Sequence, residues 1–135
     1  MKKIKQIILR FLISQLYRSE AQNSFKGVKV ICFDLDGVIV FDEAKRFGES
    51  WTAYYIRKIP VVGARRVLNA LKKDGWIIII YTSRIECDKK ITEEWLGKYE
   101  IPYDLIIYGK PVASYYIDDR AVEFRSWEEL ENRLK

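Results

Sequence analysis

The 135-residue sequence predicts an α/β fold: a three-layer, Rossmann-like parallel sheet with helices on both faces. Two observations carry that expectation. Residues 28–33, apolar and β-branched apart from Lys29, and residues 76–81, a continuous apolar run, are rich in valine and isoleucine and too short for helices, as buried parallel strands are. Segments with helical apolar spacing stand between and after them, punctuated by Asp74-Gly75, Pro102 and Gly109-Lys110-Pro111.

In chain order, residues 1–27 form a basic amphipathic N-terminal helix and a turn. Ile4, Ile7, Ile8, Phe11 and Leu12 recur at helical spacing, interrupted by Lys5, Arg10 and Arg18. The apolar segment is too short and too broken to span a bilayer, and it lacks the small-residue cleavage pattern of a secretory signal. Three readings stand, in order of weight: a packed or interface helix, with self-association through residues 4–17; a helix on a membrane surface; a targeting segment. Gln22, Asn23, Ser24 and Gly27 read as the turn into a single domain at 28–135.

That domain opens on the first strand, 28–33, which ends at Asp34. Residues 41–60 make a short flap or helix, with Trp51, Tyr54, Tyr55 and Ile56 among polar residues, and are too few for an independent cap. Pro60 separates this flap from a helix over 61–73 whose face holds Val61, Ala64, Val67, Leu68 and Leu71. The second strand, 76–81, runs into Thr82-Ser83-Arg84. A helix over 86–99 turns Ile91, Trp95 and Leu96 inward. A third strand is expected at 105–108, a fourth at 115–117 ending in Asp118-Asp119, and a short fifth around Val122 and Phe124. Ser126, with Glu129 three residues on, caps the last helix.

Composition narrows the chemistry. With no histidine, Ser-His-Asp triads, histidine phosphatases and the usual zinc hydrolases are excluded. The net charge of +5 lies entirely in residues 1–27, since 28–135 hold eighteen basic and eighteen acidic residues, so the domain at 28–135 lacks the basic field of a nucleic-acid binder. Cys32 and Cys87 form no metal or disulfide framework and read as buried or inert thiols in a reducing, cytoplasmic compartment.

In an open α/β sheet, ligands bind beyond the carboxyl ends of the strands, where Asp34, Thr82, Lys110 and Asp118 all fall. In Asp34-Leu35-Asp36-Gly37-Val38, two carboxylates one residue apart can flank a metal and a transferring group, with Gly37 permitting the close turn. Two such charges about 4 Å apart repel by roughly 4 kcal/mol at an effective dielectric near 20, an objection that a divalent cation removes. A plain structural turn also accepts Asp-x-Asp-Gly. Thr82 read alone is as well a strand-end cap, and Lys110 read alone is a solvated charge.

Together these residues resemble the haloacid dehalogenase-like hydrolase superfamily. Asp34-Leu35-Asp36-Gly37-Val38 matches its first motif, Thr82 its second, Lys110 its third and Asp118-Asp119 its fourth, over residues 28–124 and in the expected order. The resemblance implies a small, capless or minimally capped phosphatase. Asp34 would be the nucleophile that forms an aspartyl phosphate, and Asp36 would protonate the leaving alcohol and later deprotonate water. Thr82 and Lys110 would hold the phosphoryl oxygens, with Ser83 an alternative hydroxyl one residue on. Magnesium would sit between Asp34, the main-chain carbonyl of Asp36, and Asp118 or Asp119. Arg84 reads as a second anion contact or a surface ion pair, and Arg120 as a counterion to the acidic pair.

A short flap leaves an open site, suited to a phosphorylated small molecule or sugar, free or on a larger carrier; nucleic acid is less favoured. Trp51, Tyr54 and Tyr55 would more readily pack the flap than stack on a sugar or base. Two other functions stay open: phosphoryl transfer to an acceptor alcohol through the same intermediate, and a non-catalytic regulatory or binding module.

Overall fold

The computed structural model describes residues 2–19 and 28–135. The fold is α/β, with a three-stranded parallel sheet in the order β1-β2-β3: β1 Val30–Phe33, β2 Ile77–Tyr81 and β3 Leu105–Ile107. Parallel pairing sets Val30 opposite Ile77 and Ile79 opposite Leu105, so the strands' carboxyl ends share one edge of the sheet. Five α-helices are described: α1 Lys2–Ser19, α2 Trp51–Arg57, α3 Ala64–Lys73, α4 Lys89–Lys98 and α5 Trp127–Leu134, with a 3-10 turn over Glu86–Asp88 leading into α4. The proposed turn at Gln22, Asn23, Ser24 and Gly27 lies outside the described residues.

The core is assembled from the faces that the periodicity marks. Phe33, Ile78 and Ile80 of the sheet meet Val67, Leu68 and Leu71 of α3, Trp95 and Leu96 of α4, and Trp127 of α5. Ser50 caps α2 by accepting from the Ala53 N–H, and Ser126 caps α5 by accepting from the Glu129 N–H, each satisfying an orphan donor of the first turn. In α4 the inward residues are Thr92, Trp95 and Leu96, while Ile91 is only half-buried. The helix expected over 61–73 begins at Ala64, because Gly63 takes a left-handed conformation (φ 91°) before it.

Gly63 also meets Trp127: a Cβ at this position would stand 3.1 Å from the Trp127 Cβ. Gly63→Ala therefore combines a disfavoured backbone with crowding and is expected to lower stability by about 1–3 kcal/mol. A thermal transition unmoved by the substitution would show that the contact yields freely.

The expected fourth and fifth strands do not form. Residues 111–125 carry no regular structure, and Tyr115 and Ile117 are exposed. Local contacts replace pairing: the Tyr116 hydroxyl donates to the Pro111 carbonyl, and its ring lies 4.2 Å from Lys110 Nζ. The run between Ser114 and the two aspartates is three residues, as short as β3, and here those local contacts prevail over pairing. With no strand beyond β1 among the described residues, its outer edge is open and Cys32 is exposed. Cys87, on the 3-10 turn, is exposed as well, so both thiols are free but not buried.

The flap is tied down electrostatically. Arg57, at the end of α2, binds Glu49 through Nε and Nη2 and pairs with Glu43 through Nη1. The hydrogen bonds from Arg57 hold Glu49 down to about 2. A depressed carboxylate contributes stability that is present above its ordinary value near 4.5 and disappears as pH falls toward about 2. Emission from Trp51, in α2, is thus expected to change across that acid window, and Glu49→Gln to flatten the change.

Candidate active site

Three chain segments meet at the carboxyl edge of the sheet. Asp34 leaves β1 with Oδ1 accepting from the Leu35 N–H (2.8 Å) and Oδ2 accepting from Lys110 Nζ (3.2 Å). The loop after β3 is laced to the loop after β2: the Lys110 N–H donates to the Thr82 carbonyl and the Gly109 N–H to the Arg84 carbonyl, both at 2.9 Å. These main-chain bonds carry Lys110 to Asp34 across 76 positions of sequence. Asp34, Thr82 and Lys110 are therefore brought to one edge.

Asp36 sits in a tight loop, where the Val38, Ile39 and Val40 N–H groups all converge on the Leu35 carbonyl. Gly37 (φ 89°) donates its N–H to the Val40 carbonyl, a left-handed turn that a side chain would strain. The Asp36 carboxylate is gripped from two sides. Arg84 binds it bidentately, Nε to Oδ2 and Nη2 to Oδ1, both 2.8 Å, and Lys58 Nζ donates to Oδ1 at 3.1 Å. Burial alone would raise the Asp36 carboxyl, but the hydrogen bonds and charges of Arg84 and Lys58 outweigh it and hold the group below its ordinary value. It is ionised at neutral pH.

Both cations are buried and held in turn. Arg84 Nη1 donates to Thr92 Oγ1 (3.1 Å), and its guanidinium lies 4.0 Å from the Tyr55 ring. Lys58 Nζ lies 4.2 Å from the Tyr54 ring, and the Lys58 carbonyl accepts from Trp95 Nε1 at 2.8 Å. The flap's Tyr54 and Tyr55 thus pack against the cations that hold Asp36, rather than standing open for a base or sugar. Trp51 remains exposed and contacts both rings.

Lys58 is the site residue that sequence reasoning missed. A lysine after Arg57 at the end of a short helix gives no signal of burial. Arg84, weighed as a second anion contact or a surface pair, is instead a buried partner of Asp36. Thr82 is wholly buried, with Oγ1 accepting from the Arg84 N–H at 3.1 Å, while Ser83 is exposed at the same turn.

The fourth-motif acids are the departure. Asp118 and Asp119 are exposed, and Asp118 Oδ1 accepts from the Arg120 N–H (2.7 Å). Among the described residues, no three His, Cys, Asp or Glu side chains are gathered as a metal cage, so Asp34, Asp36, Asp118 and Asp119 do not form one here. The absent fourth strand is the physical reason, for it would have aimed 118–119 at the edge. In kind, the hard oxygens at the end of β1 suit magnesium; in number, they need an acid from the 111–125 segment. A separate groove of about 640 Å³ on α3 is lined by Arg65, Arg66, Lys73 and Glu100; Arg65 pairs with Glu100 and Arg66 with Glu131. Both of these arginine pairs lie on the surface, apart from the Asp34 edge.

No family model and no curated protein matches the chain. Solved structures do. The chain is similar to a protein from Vibrio cholerae solved as an MCSG target, at 27% identity and a TM-score of 0.54, over 80% of this chain and all of that one. It is also similar to a chain of the Pnkp1/Rnl/Hen1 complex, at 28% identity and a TM-score of 0.50, over 67% of this chain; it spans only 30% of that chain's length. Another structure of this assembly, described as an RNA repair complex, gives a TM-score of 0.49.

Proposed function

We propose that the chain is a phosphomonoester hydrolase of the haloacid dehalogenase-like superfamily, in a minimally capped form with a three-layer catalytic domain, acting in the cytoplasm. The observation that carries the reading is the contact between Asp34 Oδ2 and Lys110 Nζ at the carboxyl ends of parallel strands, with Thr82 in the same hydrogen-bonded loop pair.

In this scheme an Asp34 carboxylate oxygen attacks phosphorus, the ester P–O bond breaks and the departing alkoxide takes a proton from Asp36. Water then attacks the aspartyl phosphate at phosphorus, Asp36 takes the water's proton, and inorganic phosphate leaves with Asp34 restored. Lys110 neutralises charge on the phosphoryl oxygens, and the Thr82-Ser83 turn offers hydroxyl donors, with Ser83 the more accessible. Arg84 and Lys58 keep Asp36 ionised in the free chain; as substrate binds, the phosphoryl dianion opposes them, and Asp36 takes up from solvent the proton that it then gives to the departing alkoxide. Magnesium is the proposed cofactor, held by Asp34, the Asp36 carbonyl and an acid of 118–119; when bound it would supply positive charge to the phosphoryl group.

The proposed substrate is a phosphorylated small molecule or sugar, free or on a carrier. RNA with terminal phosphates enters the test as its nucleic-acid arm. Phosphate release should be measured on sugar phosphates, nucleotides, phosphopeptides and RNA carrying 3′ or 5′ phosphates, with magnesium and with a chelator. Magnesium-dependent turnover of at least one class is the expected result. Folded protein inert across the panel would remove the hydrolase reading and favour a binding module. Phosphorylated acceptor appearing in place of inorganic phosphate, when candidate alcohols are added, would make the chain a phosphotransferase.

A further inference from the structure

Helix α1 presents a row of exposed apolar side chains that nothing among the described residues covers. Ile4, Ile7, Ile8, Phe11 and Leu12, at i, i+3, i+4, i+7 and i+8, are each at least half exposed, and they line one side. The other side, with Gln6, Leu9 and Ile13 half-buried, belongs to a helix that lies against β3. The stripe is therefore not the face that packs on the sheet.

The charges around it choose the occupant. Residues 2–19 contain Lys2, Lys3, Lys5, Arg10 and Arg18 and no acid, whereas the domain beyond residue 27 is balanced. Lys5 and Arg10 are exposed and stand on opposite flanks of the stripe. Two copies joined through this face would set two wholly basic helices against each other. Nucleic acid would use the cations but leave Ile7 and Phe11 in water, because its affinity comes from phosphate contacts. A surface that takes up apolar side chains and carries negative charge answers both halves of the pattern. No described helix is long and apolar enough to cross a membrane, so the helix would lie in the interface plane.

We infer that α1 is a peripheral anchor for anionic lipid surfaces, inserting Ile4, Ile7, Ile8, Phe11 and Leu12 between headgroups that Lys5 and Arg10 contact. The inference stands apart from the hydrolase reading.

The test is co-sedimentation of the full chain with vesicles of phosphatidylcholine alone, or with roughly a third of it replaced by phosphatidylglycerol. Binding to the anionic vesicles is expected to exceed that to neutral ones by about tenfold or more and to fall as salt screens the headgroups. Ile7→Glu with Phe11→Glu, and separately Lys5→Glu with Arg10→Glu, should each reduce anionic binding by about tenfold or more. The second pair alters only exposed charges, so it decides the matter if the first pair fails to fold. Absence of binding, equal binding to both vesicles, or variants that bind like the native chain would overturn the inference. So would a concentration-dependent dimer abolished by Ile7→Glu with Phe11→Glu, or RNA binding without vesicle binding.

Discussion

Asp34→Asn is expected to lower phosphate release on the substrate found by the panel by on the order of 10³-fold or more, with the thermal transition nearly unmoved. The amide keeps the shape of the carboxylate and can still accept from the Leu35 N–H, but it lacks the charge to attack phosphorus. It also loses the ion pair to Lys110. That loss is small for stability, because Asp34 is about a third exposed and such pairs contribute about 0–1 kcal/mol. Activity and stability therefore separate, which distinguishes a nucleophile from a fold-supporting acid. Rapid quenching of the native chain should trap phosphate covalently on Asp34, and the variant should trap none. Turnover surviving the substitution would place the nucleophile elsewhere.

How much of this was legible depends on how local each determinant is. Continuous apolar runs announced β1 and β2, because Val30 to Phe33 and Ile77 to Tyr81 have nowhere to go but a buried sheet. The cap at Ser126 also follows from neighbouring residues, whereas the helix expected from Val61 starts only at Ala64, after the left-handed Gly63. The run at 115–117 looked alike on paper, but its fate turns on contacts with Lys110 and Pro111 that residue type does not announce. Strand-end logic found Asp34, Thr82 and Lys110, whose positions follow from the chain's direction through a parallel sheet. It could not find Lys58, whose burial depends on Tyr54, Trp95 and Asp36 arriving from three other parts of the chain. It likewise read Ile4, Ile7 and Ile8 as part of a packed or interface helix; the structure packs the opposite side of that helix on β3 and leaves these three residues exposed.

The Asp36, Arg84 and Lys58 cluster should dominate the chain's stability. Asp36→Ala removes the single carboxylate that Arg84 and Lys58 both bind, and leaves two cations with side-chain exposures of 2% and 1% beside each other. Cutting one partner from a buried ion pair costs about 3–5 kcal/mol, most of it the uncompensated charge rather than the lost attraction. In a domain of this size that corresponds to a fall in Tm of on the order of 10 °C or more. The sign of the next step tests the cause. Adding Lys58→Met and Arg84→Met to Asp36→Leu removes every charge of the cluster and should recover much of the loss, because an apolar replacement of a buried ion pair is often neutral or stabilising. If the triple variant is no more stable than Asp36→Ala, the cost lies in the loop geometry around Gly37 and not in stranded charge.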